Sequence, residues 1–460
     1  MTTLAEKMAT FARRLTFDDL PRDVVHEVKR RVIDSIGCAL GAFDSDPCRI
    51  ARSAARLVKS RFPATLLGTS HTSAPDLAAF ANGTMIRYLD FNDTYLSKEP
   101  AHPSDNISAA LAVAEAEGGD GKALITAIVI GYEIQCRLCD AAALRTRGWD
   151  HVTYGPLSTA LVAAKLMRLS ETEMVHALGL AGVPNVALRQ TRVGELSMWK
   201  GCAFANAARN GIFAARLAKQ GMTGPAPLFE GERGFFRQLT GPFESPPFGE
   251  KGQPLKIMDT YIKFYPAEYH AQSAIEAALL LRKKFGPEDI AAIEVKTFDV
   301  SVEIIGKDPE KWHPRSRETA DHSLPYLVAV ALMDGGVGLD QFTDARIADP
   351  RLRALIQKVS VTDDPEFNRA YPESMPNQVT VKTVDGQSHS LKITYPKGHP
   401  KRPLTDNELE DKFISLAEPR LPKKQIRRLL DRLWKLDALK KMDDPLSLCI
   451  VPRKRKGRPT

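Results

Sequence analysis

The sequence predicts a mainly α protein interrupted by an inserted α+β domain: a large all-helical domain formed by both chain ends, plus a smaller lid domain. Three observations lead there. From residue 1 to about 265, apolar residues recur at three- and four-residue intervals in nearly every patterned segment. The pattern then changes to partial alternation rich in β-branched residues, and the last sixty or so residues return to helix. At 460 residues the chain also exceeds the size at which one core usually stops growing. The boundaries that follow are 1–270 and 397–460 for the helical domain and 271–396 for the insert.

Each element has a local reason. The opening, MTTLAEKMATFARRLTFDDL, carries Glu6, Asp18 and Asp19 and no long apolar run, so it reads as an amphipathic helix and not as a signal or transit leader. VVHEVKRRVIDSIGCALGAF, SAPDLAAFANGTMIRYL and NISAALAVAEAE follow with helical periodicity. ALITAIVIGYEIQCRL and GPLSTALVAAKLMRL have less polar relief, which places them centrally in a bundle. KGCAFANAARNGIFAARLAKQG spreads Ala and Gly over more than one face, so neighbouring backbones can approach closely. In the insert, AAIEVKTFDVSVEII reads as a strand and SLPYLVAVALMDG as a short hydrophobic helix. QVTVKTVDGQSHSLKITYP reads as a hairpin turning at Asp385-Gly386. LTDNELEDKFISLAE opens on a Thr405 cap with Glu408 three residues later, the pattern of a capping box.

Composition excludes several classes of function. With 43% hydrophobic and 26% charged residues the chain has the make-up of a soluble globular protein. No apolar run reaches the ~18–20 residues that span a bilayer, and a cytoplasmic location is expected. Cys136 and Cys139 form a CxxC, but inside a helical pattern and with no second close pair, which argues against structural zinc or an iron–sulfur cluster. The net charge of +8 is concentrated: five cations fall in the last eight residues, and another cluster lies between Arg420 and Lys441. There it forms the solvent face of a helix backed by Leu429, Leu430, Leu433 and Leu436. No zinc-finger spacing or aromatic–basic interleaving points to nucleic acid. Dinucleotide and phosphate-loop motifs are absent from strand-to-helix settings, and GERGFF and DGGVG read as turns.

Chemistry is expected first in RYLDFNDTYLSKEPAHPSDN, Arg87 to Asn106. It bunches Asp90, Asp93, Thr94, Glu99, His102 and Asp105 at the seam of an Ala-rich region, where polar groups are costly unless paired or used. If the preceding helical turn continues, Asp90, Asp93 and Thr94 share one side. His102 precedes Pro103, which opens the next helix. Acids at a helix end are ordinarily caps; Asp, Asp, Thr and His around one break make chemistry an equal contender. His151 in RGWDHVTYGP, Lys200 in MWKG, and Lys263 and His270 in KFYPAEYH stand at comparable seams. Together these groups supply candidate bases and cations without metal-ligand spacing. Such a set suits binding a di- or tricarboxylate and moving a proton beside one carboxylate.

Several segments resemble the MmgE/PrpD family: LDFNDT…HPSDN, DHVTYGPLSTALVAAKLM, MWKGCAFANAARNG, GMTGP, KFYPAEYHAQSAIEAA, DHSLPYLVAVAL and YPKGHP. Their order and spacing run through almost the whole chain, with the 2-methylcitrate dehydratases giving the best likeness. The tail beyond Ile450 departs from the pattern, and MWKG is more like the broader family than its dehydratases. The resemblance implies a helical domain from both termini, an inserted lid, a cleft between them, and a homodimer. It also implies catalytic-site residues at Asp90, Thr94, His102, His151, Lys200, Lys263 and, in the insert, Tyr326. Asp90, His102, His151, Lys200 and Lys263 are expected to be catalytic, and Thr94, Tyr326, Asp93 and His270 to bind substrate. The implied reaction is a metal- and cofactor-free dehydration, a lyase step, on 2-methylcitrate; citrate dehydration and cis-aconitate decarboxylation on the same scaffold are the alternatives.

Overall fold

Burial sorts the helices as their composition requires. In a computed structural model, which describes residues 2–249 and 253–452, the helices include α1 (Leu4–Arg14), α2 (Arg22–Gly41), α3 (Asp46–Ala55), α4 (Pro75–Tyr88), α5 (Asn106–Ala116), α6 (Gly121–Ala141), α7 (Gly155–Leu166), α8 (Glu171–Gly182), α9 (Trp199–Lys219) and α10 (Gln272–Leu281), with further helices after them. The basic tail expected at 453–460 lies outside the described residues. Among those described, no helix is long and apolar enough to cross a membrane.

The chain divides into two compact units. The first contains residues 1–190, 201–260 and 405–460; the second contains 191–200 and 261–404. In the first unit, α6 is buried without interruption from Leu124 to Cys139, and α5 and α7 are buried over most of their lengths. α6 and α7 are the low-polarity segments, and they pack on each other and on α5. The small-residue pattern of α9 has a specific use: a Cβ on Gly211 would lie 2.1 Å from Thr159 Oγ1 of α7, so only glycine permits that approach. This unit also holds a two-stranded antiparallel sheet, β1 (Ala64–Thr65) and β2 (Thr72–Ser73). The helix Asp406–Ala417 begins with the expected capping box, Thr405 and Glu408 exchanging side-chain and backbone hydrogen bonds. The Cys136 and Cys139 thiols stay buried inside α6, and burial pushes both well above the usual thiol range.

The second unit is an α+β structure. Its sheet has the order β4-β3-β5-β6, with β3 (Ile290–Thr297), β4 (Val359–Asp363), β5 (Asn377–Thr383) and β6 (Ser388–Ile393). β3 and β4 run parallel, Ile293 opposite Val359, and the other pairs are antiparallel. The β5–β6 hairpin turns at Asp385-Gly386. Ile293, Val295, Val379 and Val381 pack with Ala274, Ile275 and Leu327 from α10 and the helix Leu324–Asp334 in one apolar cluster. The strand read from AAIEVKTFDVSVEII is shorter than expected. It ends at Thr297, opposite the last residue of β4, and Asp299–Gly306 is helical instead. Phe298 is buried and stacks on Tyr371, while the Asp299 carboxylate accepts the Val300 N–H and starts a helical turn. Local capping thus overrides the β-branched composition.

Candidate active site

Most of the 87–106 stretch is buried, and it is held from several sides. α4 ends at Tyr88 and Leu89 closes it; Asp90 then takes φ = +52°, a left-handed conformation that Asp tolerates better than most residues. The helical turn therefore does not continue, and Asp90, Asp93 and Thr94 do not share one helical side as the sequence led us to expect. Arg87, itself buried, reaches back from the last turn of α4 and donates to Asp90 Oδ1. Its other terminal nitrogen lies 2.8 Å from His102 Nε2, and its Nε is 3.9 Å from Asp105.

Asp93 has both oxygens engaged within the protein: Oδ1 accepts Ser104 N–H at 2.9 Å and Oδ2 accepts Tyr132 O–H at 2.6 Å. Burial and then the Asp93 carboxylate push the Tyr132 phenol well above its usual range, so it remains the donor. The backbone carbonyl of Asp93 has a further use, because it lies 2.7 Å from His102 Nδ1. Thr94 Oγ1 donates to the Ala101 carbonyl at 3.1 Å, closing the loop that carries His102. Asn106 bonds Pro103, Gln135 and Ser158; Glu99 accepts the Leu144 and Arg145 amides. Lys412 secures the loop by donating to the Phe91 carbonyl at 2.7 Å while paired with Asp34 at 2.6 Å.

These contacts assign the His102 tautomer. A backbone carbonyl only accepts and a guanidinium only donates, so Nδ1 carries the proton and Nε2 carries the lone pair. His151, at the start of a short 3-10 turn before α7, lies close by, with ring centroids 5.8 Å apart at 65°. Its Nδ1 is 2.9 Å from Asp150 Oδ1, and both residues are buried. Asp150 also caps the turn by accepting the Val152 amide at 3.2 Å. The first unit thus places two neighbouring imidazoles, His102 with Nδ1 bonded to a carbonyl and His151 with Nδ1 2.9 Å from a carboxylate. That arrangement suits proton abstraction.

The second unit gathers cations among acids. Lys200 is buried, with Nζ 3.4 Å from Asp321 Oδ1 and 3.4 Å from His322 Nδ1. Asp321 and His322 are themselves 2.6 Å apart. Lys263 is fully buried and acts electrostatically on Glu268. Glu268 pairs with His270 Nδ1 at 2.8 Å. Burial alone would raise the Glu268 carboxyl, but His270, with His322 and Lys263, holds it down at about 2. His270 is packed between Phe298 and Tyr371. Tyr326 sits in the apolar cluster of the Leu324–Asp334 helix, and its hydroxyl donates to the Gln341 carbonyl. A buried ammonium group is a strong partner for an anion, since little solvent competes.

Arg87, Asp150, Glu268, Asp321 and His322 received no role from the sequence. A signal for two pairs was present: Asp150-His151 and Asp321-His322 are both Asp–His dipeptides just before a helix with proline in its first turn. In each the carboxylate meets its neighbour's Nδ1. Arg87 lay inside a recognisable helix, where an arginine ordinarily faces solvent.

Comparison with known proteins agrees with this architecture. The MmgE/PrpD N-terminal domain matches residues 6–247 and the MmgE/PrpD C-terminal domain matches residues 265–436. A 2-methylcitrate dehydratase of Cupriavidus necator is 31% identical over 87% of this chain and 87% of its own length. The 2-methylcitrate dehydratase of Escherichia coli K12 is 30% identical over the same shares. An alkylcitrate dehydratase from a fungal species is 28% identical over 90% of this chain and 87% of its own length. With both domains matched in order across most of its length, the chain belongs to the MmgE/PrpD family.

Proposed function

We propose that this protein is a hydro-lyase that dehydrates 2-methylcitrate to 2-methyl-cis-aconitate and water without a metal ion. The observation that carries the reading is the pair of neighbouring imidazoles, His102 and His151, with the Asp150 carboxylate 2.9 Å from His151 Nδ1. The names of the relatives support the choice of substrate.

In the proposed reaction one of these histidines, assisted by Asp90, takes the proton from the carbon beside a carboxylate. That C–H bond breaks and the C=C bond forms. The C–O bond to the tertiary hydroxyl breaks as a neighbouring acid protonates it, so the hydroxyl leaves as water. Lys200 and Lys263 would hold the substrate carboxylates and offset the negative charge that grows as the proton leaves. With two lysines in that role, no metal is needed as Lewis acid. Thr94 and His270 are proposed to help hold substrate; Tyr326, whose hydroxyl is engaged with Gln341, and Asp93, whose oxygens are engaged with Ser104 and Tyr132, enter no step. The homodimer implied by the family resemblance is part of the same proposal.

The test is turnover of 2-methylcitrate, citrate and cis-aconitate by purified protein before and after exhaustive chelation. Rising ultraviolet absorbance of a conjugated alkene from 2-methylcitrate, unchanged by chelation, is expected. Release of carbon dioxide from cis-aconitate would favour decarboxylation, and preference for citrate would move the substrate. Loss of activity on chelation, or full activity in both His102→Ala and His151→Ala, would overturn the mechanism.

A further inference from the structure

Lysine is almost never fully buried unless it is paired, because its ammonium group gives up strong hydration on leaving water. Lys311, on the short helix Pro309–Trp312, is 2% exposed, and among the described residues its Nζ makes no hydrogen bond or ion pair. Its main chain is fixed: the amide donates to the Asp308 carbonyl at 2.9 Å, and the carbonyl accepts from the buried Ser323 hydroxyl. Ser323 in turn caps Leu324–Asp334 by accepting the Tyr326 amide at 3.1 Å. The fold thus fixes this lysine through its backbone and leaves the ammonium group without a direct counter-ion.

Its neighbours belong to the cation cluster of the second unit. Asp321, two residues before Ser323, lies 3.4 Å from Lys200 Nζ, and its carbonyl accepts the Glu268 amide at 2.8 Å. Burial pushes the Lys311 ammonium below the usual lysine range, against the pull of Asp308, Asp321, Glu268 and Glu310. Of these acids Glu310 is exposed and Asp308 half-buried, while Glu268 is also acted on by His270, His322 and Lys263. Lys200, Lys263 and Lys311, all buried, are therefore grouped around Asp321 and Glu268, a surplus of cation that an anionic ligand would balance. We propose that Lys311 binds substrate: its ammonium group takes one carboxylate of a tricarboxylate, beside those assigned to Lys200 and Lys263. This deepens the functional reading above and rests on it. A ligand with one carboxylate for each lysine uses all three, so Lys311 sets the preference for three carboxylates over two.

Lys311→Met removes the charge and keeps most of the side-chain volume. Titration calorimetry with tricarballylate, which has three carboxylates and no hydroxyl to lose, and with glutarate, which has two, separates binding from chemistry. The preference for tricarballylate over glutarate should fall roughly tenfold to a hundredfold, the worth of one charge-assisted hydrogen bond. Lys311→Gln should lose most of the same preference, since its amide carries no charge. An unchanged preference in both variants would overturn the inference.

A lysine kept only for the fold would behave differently. Removing a charge that burial disfavours should leave the melting temperature of the unliganded protein unchanged or raised, while the stabilisation given by tricarballylate shrinks. A drop of several degrees without ligand in both variants would make Lys311 a structural residue and refute the inference. With 2-methylcitrate as substrate, KM should rise roughly tenfold or more in Lys311→Met while kcat stays within about threefold. Turnover with an unmoved KM would remove the inference and leave the proposed reaction standing. A tricarballylate preference that depends on Lys311, in a protein that does not turn over 2-methylcitrate, would remove the functional reading alone.

Discussion

Replacing Arg87 by Met isolates the charge at the centre of the polar stretch while keeping much of the side-chain volume. Arg87, Asp90 and Asp105 are 2%, 1% and 2% exposed, so water cannot substitute for the missing guanidinium. Arg87 donates to Asp90, approaches Asp105 at 3.9 Å and donates to His102 at 2.8 Å. Removing one member of a buried ion pair costs about 3–5 kcal/mol, because the remaining charge stays desolvated. The folding constant should therefore drop roughly a hundredfold to a few thousandfold. The pH dependence has a definite sign. Without the cation, the buried carboxylates have folded pKa values above the unfolded value of about 3.9, so lowering the pH protonates the folded state first. The deficit of Arg87→Met against the parent must then shrink as pH falls from 7 toward 5. Urea unfolding at several pH values reads both quantities, and Asp90→Asn in the Arg87→Met background should recover part of the loss. Arg87→Lys should rescue incompletely, since a point charge cannot serve acceptors spread around a planar fork. A deficit below about 1 kcal/mol that is flat from pH 5 to 8, with no recovery in the double variant, would refute the assignment of Arg87 as the charge that holds this stretch.

Other expected outcomes are narrower. Tyr132→Phe removes the O–H that donates to buried Asp93 at 2.6 Å and should cost about 1–3 kcal/mol, visible as a lower melting temperature. Gly121→Ala would place a Cβ 1.6 Å from the Leu436 carbonyl oxygen, so the start of α6 must shift; about 3 kcal/mol or more should be lost, and an unchanged melting temperature would contradict the packing. Acid sensitivity should fall in two windows. Burial depresses His399 from 6.5 to about 4, so the unfolded chain takes the proton first and stability declines as pH drops through that range; His399→Gln should flatten it. Glu268, held at about 2, contributes stability that is complete above its unfolded value near 4.5 and lost below it; Glu268→Gln should be destabilising at pH 7 and progressively less so under acid. Urea midpoints from pH 3 to 8 check both.

Local rules were legible where one segment settles its own conformation. Thr405 and Glu408 cap their helix from three residues apart, and Asp385-Gly386 turns its hairpin between two runs that pair with each other. The composition of α6 and α7 announced their burial before any neighbour was known. What was illegible depended on a partner distant in sequence. AAIEVKTFDVSVEII has strand composition throughout, yet its ladder stops where β4 stops, more than sixty residues later. Asp93 reads as a ligand for substrate until Tyr132 and Ser104 occupy its oxygens. Arg87 looks like any helical arginine until α4 ends and the chain folds back to bring His102 to it. The Asp–His pairs form an intermediate case: adjacency in sequence was visible, but whether the carboxylate meets its neighbour's Nδ1 is a matter of backbone angles.

The hydrogen bond from Lys412 to the Phe91 carbonyl spans 321 positions, and both residues belong to the first unit. During synthesis, the loop bearing Asp90 and His102 is made long before the lysine that secures it. Until the segment around residue 412 has left the ribosome, Asp34 lacks its 2.6 Å counter-charge. The apolar face of α2 also waits for the late helix Asp406–Ala417, which packs on it. At roughly 5–20 residues per second, that interval lasts from about fifteen seconds to a minute. The nascent chain therefore carries exposed Ala- and Leu-rich helices for much of its translation, which makes it a natural client for chaperones that bind emerging apolar segments. Truncations near the C-terminus should lower soluble yield even where they remove no group that touches substrate.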